Sequence, residues 1–313
     1  STVTERVLIT GGLGFIGANL VRLLQGRGQD DIVVVDDLRK GRREHLPEGA
    51  ARVVIGDCGD GEVMAPALEG ASTVIHLASE TGVQPSVEDP VKDFEGNAAT
   101  TFRVLEACRE AGVERFVFAS TGAAAGEVDP PIHEEVVPKP VSPYGAGKLA
   151  GEAYCRAYAA SFGMRTAALR FSNVYGPWSL HKKWNAVPAF VKRCLTGENL
   201  TIYGDGGQTR DFVYVEDLCD AILRAAGSDS AGEVFQIATG IETSIKDLAE
   251  LVRKVVGADV EIEYGPRREG EVYRTSVDIS KAREVLGFEP GVPLEEGVRR
   301  TAEWYRENWE PSE

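Results

Sequence analysis

Residues 6 to 26 read "RVLITGGLGFIGANLVRLLQG", and this stretch decides the fold. "RVLIT" is a short apolar run of the kind that forms a buried strand, and "FIGANLVRLLQG" has apolar residues at helical spacing. Between and into them run Gly11, Gly14 and Gly17 in a G-x-x-G-x-x-G arrangement. Glycine there permits a tight turn and lets backbone approach a pyrophosphate at the helix nitrogen end, with Phe15 and Ile16 in the same turn. A plain strand-to-helix turn is the other reading. The next strand, "DIVVVD" at 31 to 36, ends at Asp36, 19 residues beyond Gly17, which is the spacing of a ribose-binding carboxylate. Asp36 with Asp37 would repel a 2′-phosphate and favours NAD over NADP. The run "RKGRR" at 39 to 43 could hold that phosphate instead; the carboxylate at the strand end outweighs it, and the run is expected to be a solvated loop.

The pattern continues outward. Strand-like runs recur at 51 to 57, 72 to 78, 115 to 120 and 165 to 171, separated by helical stretches at about 91 to 111 and 144 to 162. Runs apolar on both faces imply a parallel sheet, and the intervening helices suit right-handed crossovers. The expected fold is a doubly wound parallel α/β sheet over residues 1 to 171, with a smaller, interleaved α/β lobe over 172 to 313. The texture changes after 171 to loop-rich "SNVYGPWSLHKKWNAVPAF", and "EVFQIA" at 233 to 238 marks a return to the main sheet near 211 to 240.

A formal net charge of −15 argues against a general affinity for nucleic acid or anionic membrane. The five cysteines are scattered, with no C-x-x-C pair or ligand-like neighbours, so no metal site is expected. They read as reduced thiols in a cytoplasmic protein. "STVTERVLIT" lacks a basic region followed by an apolar core, and no run of about 18 apolar residues occurs, which disfavours secretion and membrane spanning.

In "PVSPYGAGKLAGE" at 140 to 152, Ser142 is suited to cap a helix and Pro143 to open it, which puts Tyr144 and Lys148 one turn apart on one face. An ammonium beside a phenol favours the phenolate and lowers its pKa, which makes Tyr144 a candidate general base. A surface tyrosine resting on a lysine stem is the alternative.

Taken with "TGGLGFIG", "GDC" at 56 to 58, "HLAS" at 76 to 79, "AST" at 119 to 121, "RFSNVYGP" at 170 to 177, "YGDGGQTRDFVYVEDL" at 203 to 218 and "RREGEVYRTSVDISKAREVLGF" at 267 to 288, the chain resembles the extended short-chain dehydrogenase/reductases. More narrowly it is similar to the nucleotide-sugar 4-epimerases and their dehydratase and decarboxylase relatives. The resemblance implies that Thr121, Tyr144 and Lys148 form the catalytic set, with Thr121 on the sugar 4-oxygen and Lys148 on the nicotinamide ribose. It implies that Asp57 and Cys58 lie at the adenine edge, and Leu77, Ala78 and Ser79 beside the cofactor backbone. On the substrate side it implies Asn173, Tyr203 stacking on uracil, and Arg210 and Arg268 clamping the diphosphate, in keeping with ring stacking and guanidinium forks, and Val187 is a further candidate substrate contact. A salt bridge from Arg210 to Asp211 is the other reading of that arginine. Family members that dimerise through a four-helix bundle make a homodimer the expectation.

The chain also departs from the pattern. "STGAAAG" places Ala125 where the family writes tyrosine, which is expected to widen the sugar pocket or move its wall. Gly122 and Ala123 stand where dehydratases and decarboxylases carry acids, so elimination and decarboxylation lose their expected residues, whereas epimerisation needs neither. A non-catalytic NAD-binding protein is disfavoured by the intact Thr121, Tyr144, Lys148 set. His181, Lys182 and Lys183 form a basic cluster suited to a hexose carboxylate, with a solvated loop or extra diphosphate contacts as the alternative. Thr275 stands where relatives place a bulkier gate, and Glu80 would oppose a carboxylate if it pointed inward. Ala125 and Thr275 would admit an N-acetyl group as well, so the basic cluster is what leans towards UDP-glucuronate and UDP-galacturonate, ahead of UDP-glucose and UDP-N-acetylglucosamine.

Overall fold

The computed structural model describes residues 5–182 and 185–311. The first half alternates strand and helix: β1 (Arg6–Thr10), α1 (Phe15–Gly26), β2 (Ile32–Asp36), β3 (Arg52–Ile55), α2 (Gly61–Ala67), β4 (Ala71–His76), α3 (Val83–Glu88), α4 (Pro90–Phe94), α5 (Thr100–Glu110), β5 (Arg115–Thr121), α6 (Pro143–Phe162) and β6 (Arg165–Phe171). There follow β7 (Asn173–Tyr175), α7 (Ala186–Thr196), β8 (Leu200–Tyr203), β9 (Thr209–Arg210), β10 (Phe212–Tyr214), α8 (Val215–Ala226), β11 (Glu233–Ile237), β12 (Thr243–Ser244), α9 (Ile245–Val256), β13 (Ile262–Gly265) and α10 (Leu294–Asn308).

Seven strands form one sheet in the order β11-β6-β5-β4-β1-β2-β3, and every neighbouring pair is parallel. The order reverses between β1 and β4, which leaves a crevice beyond their carboxyl ends where such folds bind ligands. Burial on both faces explains the runs of valine and isoleucine. Val34 and Ile9 join the core beneath α1 and α8, whereas Val33, Val35 and Leu8 join the core beneath α2, α5 and α6. A third core gathers α7, α9 and α10 around Val191, Leu248 and Val298. The chain passes between the lobes more than once. Parallel β7 and β10 pair beside the sheet, and β11 then joins β6 at its edge.

The segment read as one helix from 91 to 111 is helical from Pro90 to Glu110 but is interrupted by a π-helical turn at Glu95–Ala99. The cause is local. Asn97 donates from Nδ2 to the Glu80 carbonyl at 3.0 Å and to Asp93 Oδ1 at 2.7 Å, and a Cβ on Gly96 would lie 2.4 Å from Glu80 Cγ. The helix is thus drawn against the loop after β4, and the wider turn accommodates it. Among the described residues, no helix is long and apolar enough to cross a membrane, and no group of three His, Cys, Asp or Glu side chains could hold a metal.

Candidate active site

A cleft of about 690 Å³ opens at the carboxyl ends of β1, β2, β4 and β5. Its floor is the turn from β1 into α1. Gly11 has φ of +69°, and a Cβ there would lie 2.8 Å from the Ala78 nitrogen; a Cβ on Gly17 would lie 2.4 Å from Gly12 Cα. Only glycine fits either position. Helix α1 begins with no side-chain cap and no acidic residue in its first turn, so its backbone N–H groups and positive dipole end face the cleft without a resident anion. Gly14, Phe15 and Ile16 line the same floor.

Asp36 ends β2 and is buried; its Oδ2 accepts from the Leu13 N–H at 3.1 Å and its Oδ1 from Leu38 N–H at 2.9 Å. Burial raises its pKa, and the two N–H donors oppose the shift. The β4 wall is fixed from behind. Thr10 Oγ1 accepts from the N–H groups of Leu77 and Ala78 at 3.1 and 3.2 Å and hydrogen-bonds His76 Nδ1 at 2.6 Å. Leu77, Ala78 and Ser79 line the cleft, as do Asp57 and Cys58 after β3.

The basic run after β2 departs from the sequence expectation. Rather than a wholly solvated loop, Arg39 and Lys40 turn back along the cleft: Arg39 reaches Asp37 and Glu80, each at 2.5 Å, and Lys40 Nζ donates to Thr81 Oγ1 at 2.9 Å. The reason is the carboxylate of Glu80, which draws Arg39 at 2.5 Å, Lys40 at 3.8 Å and Lys92 at 3.9 Å. Arg39 is thereby matched by two carboxylates, and Glu80 is neutralised instead of opposing a ligand's negative charge.

At the other end of the cleft stand Thr121, Tyr144 and Lys148. Ser142 caps α6 by accepting from Gly145 N–H at 3.0 Å, and Pro143 occupies the first turn. Small residues let α6 approach β5: a Cβ on Gly145 would lie 2.3 Å from the Ala123 carbonyl oxygen, and one on Gly151 would lie 2.4 Å from the Phe118 ring. This approach brings the Tyr144 phenol to the same end of the cleft as the Thr121 hydroxyl, near enough for that hydroxyl to act on the phenol's titration. Lys148 is buried, donates to the Ala119 carbonyl at 2.8 Å, and has Nζ 5.8 Å from the Tyr144 ring centre.

The electrostatics correct the expected lowering of the tyrosine pKa. Burial pushes the Tyr144 phenol up to about 12, with the Thr121 hydroxyl opposing and Asp93 adding to the rise. Burial brings Lys148 down to about 7, against the attraction of Asp93 and with Lys182 and Lys40 lowering it further. Burial is the first cause of both shifts, disfavouring the phenolate and the ammonium alike, and the Lys148 amine donates to the Ala119 carbonyl.

Lys182 lines the cleft together with His181 and Asn173. Burial, with Lys40 nearby, lowers Lys182 to about 8, and among the described residues its ammonium has no ion-pair partner. Burial first, then Lys182, lowers His181 to about 4, and its Nδ1 is buried without a hydrogen-bond partner. Lys183 lies outside the described residues.

The remaining predicted substrate residues do not line this cleft. Tyr203 ends β8 and carries the Arg268 guanidinium 4.1 Å above its ring. Arg210 donates to the carbonyls of Thr209 and Val272 at 2.6 and 2.8 Å and pairs with Glu271 at 3.3 Å. Its alternative partner Asp211 is turned away, accepting from Thr239 N–H and hydroxyl and from Gly240 N–H at 2.7 to 2.9 Å. Val187 is 1% exposed inside the third core, because α7 packs that apolar face on α9; its side chain faces no cleft. Ala125 is likewise fully buried, its carbonyl accepting from Lys139 N–H, and Ala123 forms the wall instead. Thr275 donates its N–H to Thr209 Oγ1 at 3.0 Å, away from the cleft.

A glycine cradle at a helix nitrogen end, a carboxylate at the tip of the second strand and a Thr-Tyr-Lys set in the same crevice define a nicotinamide-dinucleotide enzyme of the short-chain dehydrogenase type. Residues 7–238 match the NAD dependent epimerase/dehydratase family, to which the chain belongs, and its cofactor is NAD. It is 39% identical over 309 residues to a UDP-glucose 4-epimerase of Mycolicibacterium smegmatis, covering 96% of this chain and 98% of that one. The solved UDP-glucose 4-epimerase of Thermotoga maritima with UDP-glucose superposes with a TM-score of 0.91 at 37% identity, covering 97% of this chain and all of the other. The Thermus thermophilus UDP-glucose 4-epimerase in complex with NAD gives 0.88 at 37% identity, covering 97% of this chain and 99% of that one.

Proposed function

We propose that this chain is a UDP-hexose 4-epimerase that inverts carbon 4 through a 4-keto sugar. The observation that carries the reading is that Thr121, Tyr144 and Lys148 line one end of the cleft together, Lys148 one turn along α6 from Tyr144, with no acid in the lining at that end. The carboxylates lining the cleft are Asp36 at the end of β2 and Asp37, Asp57 and Glu80 on the loops after β2, β3 and β4. Dehydration would need an acid for the departing hydroxyl, and Gly122 and Ala123 supply none. Bound NAD would supply a hydride acceptor and donor, held by the Gly11 to Gly17 turn, Asp36 and Lys148. Tyr144 takes the proton of the 4-hydroxyl and returns it to that same oxygen after the sugar has turned its other face to the hydride donor, while Thr121 orients that oxygen. Tyr203, Arg210 and Arg268 lie outside the cleft lining, and to stack the base and hold the diphosphate as the family resemblance implies, Arg268 would have to leave the Tyr203 ring and Arg210 would have to leave Glu271.

For the sugar we favour glucuronate. Lys182 is a half-buried cation without an ion-pair partner among the described residues, and the neutralised Glu80 does not repel a carboxylate. Glucose is the second reading, and the names of the relatives favour it. The test compares kcat/KM for UDP-glucuronate, UDP-glucose and UDP-N-acetylglucosamine in wild type and Lys182→Met. Loss confined to UDP-glucuronate supports the carboxylate role. Equal loss on all three assigns Lys182 to the diphosphate, and inactivity on UDP-glucuronate removes that sugar.

A homodimer fits the exposed apolar side chains Val91, Phe94, Phe102, Tyr154 and Phe162 along α4, α5 and α6; sedimentation at low concentration checks it. The five free, buried thiols fit a reducing compartment such as the cytoplasm.

A further inference from the structure

Behind the Thr-Tyr-Lys set lies a buried ionic network that the reaction as described does not use. Ser120 on β5 and Arg170 on β6 are register partners, and Glu152 is on α6 one turn beyond Lys148. Ser120 Oγ donates to Glu152 Oε2 at 2.5 Å. Arg170 grips the same carboxylate with a fork, Nη2 to Oε1 at 2.8 Å and Nε to Oε2 at 3.0 Å. The three residues are only 3%, 4% and 3% exposed, and Arg170 Nη1 is buried with no acceptor. A buried ion pair is poor value as a source of stability, since apolar residues of similar volume often serve as well. Its location is more informative. Ser120 directly precedes Thr121, so the network ties the end of β5 to the helix that carries Tyr144 and Lys148.

We infer that Ser120, Glu152 and Arg170 are positioning residues that hold Thr121 against the tyrosine hydroxyl and keep the net charge behind Tyr144 and Lys148 at zero. Glu152 is the nearest carboxylate on α6 to Lys148, and Arg170 cancels it. Other charged or titratable groups acting on the pair are Asp93 from α4, Lys40 from the loop after β2 and Lys182 from the loop after β7. His76 on β4 feels Lys148, and Cys155 on α6 feels Glu152; both are neutral in this setting. Lys148 itself feels Glu152, whose charge favours the ammonium, and Glu134 accepts from the N–H of Gln236, the register partner of Arg170 on β11.

The inference rests on the acid/base role proposed for Tyr144, and charge-swap variants test it by sign. In Arg170→Met the orphaned Glu152 carboxylate disfavours the phenolate, so the acid limb of kcat/KM moves to higher pH. In Glu152→Gln the orphaned guanidinium favours it, so the limb moves to lower pH. Two helical turns separate Glu152 from Tyr144, about 12 Å, which gives shifts of roughly half to one pH unit, or about three- to tenfold on the limb. The double variant Arg170→Met with Glu152→Gln restores the wild-type limb, and Ser120→Ala lowers kcat with little change in KM or in the limb. Tyrosinate absorbance against pH, taken as the difference from Tyr144→Phe in each background, reads the same shifts without turnover. That titration keeps the test independent of the substrate, and wild-type turnover separately tests the epimerase reading. If either single variant does not fold, Arg170→Lys, which keeps the charge and loses the fork, is expected to retain the limb at reduced kcat. Opposite shifts that cancel support the inference; shifts of the same sign, or none in either readout, overturn it.

Discussion

Replacing Tyr144 by phenylalanine removes one oxygen and leaves the rest of the site standing. The lost oxygen faces Thr121, whose hydroxyl accepts from the Ala123 N–H at 3.3 Å and therefore keeps a partner. A neutral hydrogen bond contributes about 0.5 to 1.5 kcal/mol, and the removed phenol no longer has to be desolvated, so stability should change by about 1 kcal/mol or less. The ring remains, and Lys148 stays bonded to the Ala119 carbonyl. Catalysis behaves differently, because the variant has no phenol facing Thr121 to carry a dissociable proton. Loss of general acid/base transfer corresponds to about 100- to 10,000-fold in kcat. The assay pairs turnover of a UDP-hexose with the NAD content of the purified variant and its thermal midpoint. Unchanged NAD and midpoint with kcat down at least about 100-fold is the expected result. Turnover within about tenfold of wild type would remove Tyr144 from the acid/base role.

Gly17→Ala would put a methyl 2.4 Å from backbone Gly12 Cα and distort the phosphate turn, so the purified variant should lose most of its NAD, read by release on denaturation. Lys182 titrates at about 8 in the free protein, so an anionic ligand that raises this pKa must bring proton uptake at about pH 9; calorimetry of UDP binding in buffers of different ionisation enthalpy should show it, reduced in Lys182→Met. His76 is buried with its pKa lowered to about 3, from 6.5 unfolded. Between those values the unfolded chain binds the extra proton, so stability is full above the unfolded value and falls with pH, by about 2 kcal/mol from pH 7 to pH 5. Urea unfolding of wild type against His76→Gln should isolate that slope, and an equal slope in both would contradict the assignment.

Much of the main sheet was legible because its strands are buried on both faces. Valine and isoleucine runs such as Ile32 to Val35 have little other use, and the glycine spacing at Gly11 to Gly17 has a steric cause that any reader of the chain can supply. Arg39 and Lys40 were not legible as cleft residues, because their position depends on Glu80, about 40 residues away in sequence and brought near only by parallel pairing of β1 with β2 and β4. Burial of Val187 and Ala125 depends on which face of a turn or helix meets a neighbour, and motif matching carries no such information. The tyrosine and lysine were visible as a pair, but the sign of their pKa shifts was not: spacing reports proximity, whereas desolvation depends on everything packed around them. The Ser120, Glu152 and Arg170 network escaped for the same reason, since residues 32 and 18 apart meet only once α6 lies across β5 and β6.

The claim on which all of this depends is inversion at carbon 4 with return of the same hydrogen. The direct measurement is incubation of the NAD-loaded protein with each UDP-hexose in deuterated water, followed by proton spectra and mass of the nucleotide sugar. The account predicts a product of unchanged mass, inverted at carbon 4, with its original hydrogen still on that carbon. A product lighter by water or carbon dioxide, deuterium entering at carbon 4, or no inversion of any UDP-hexose would contradict it.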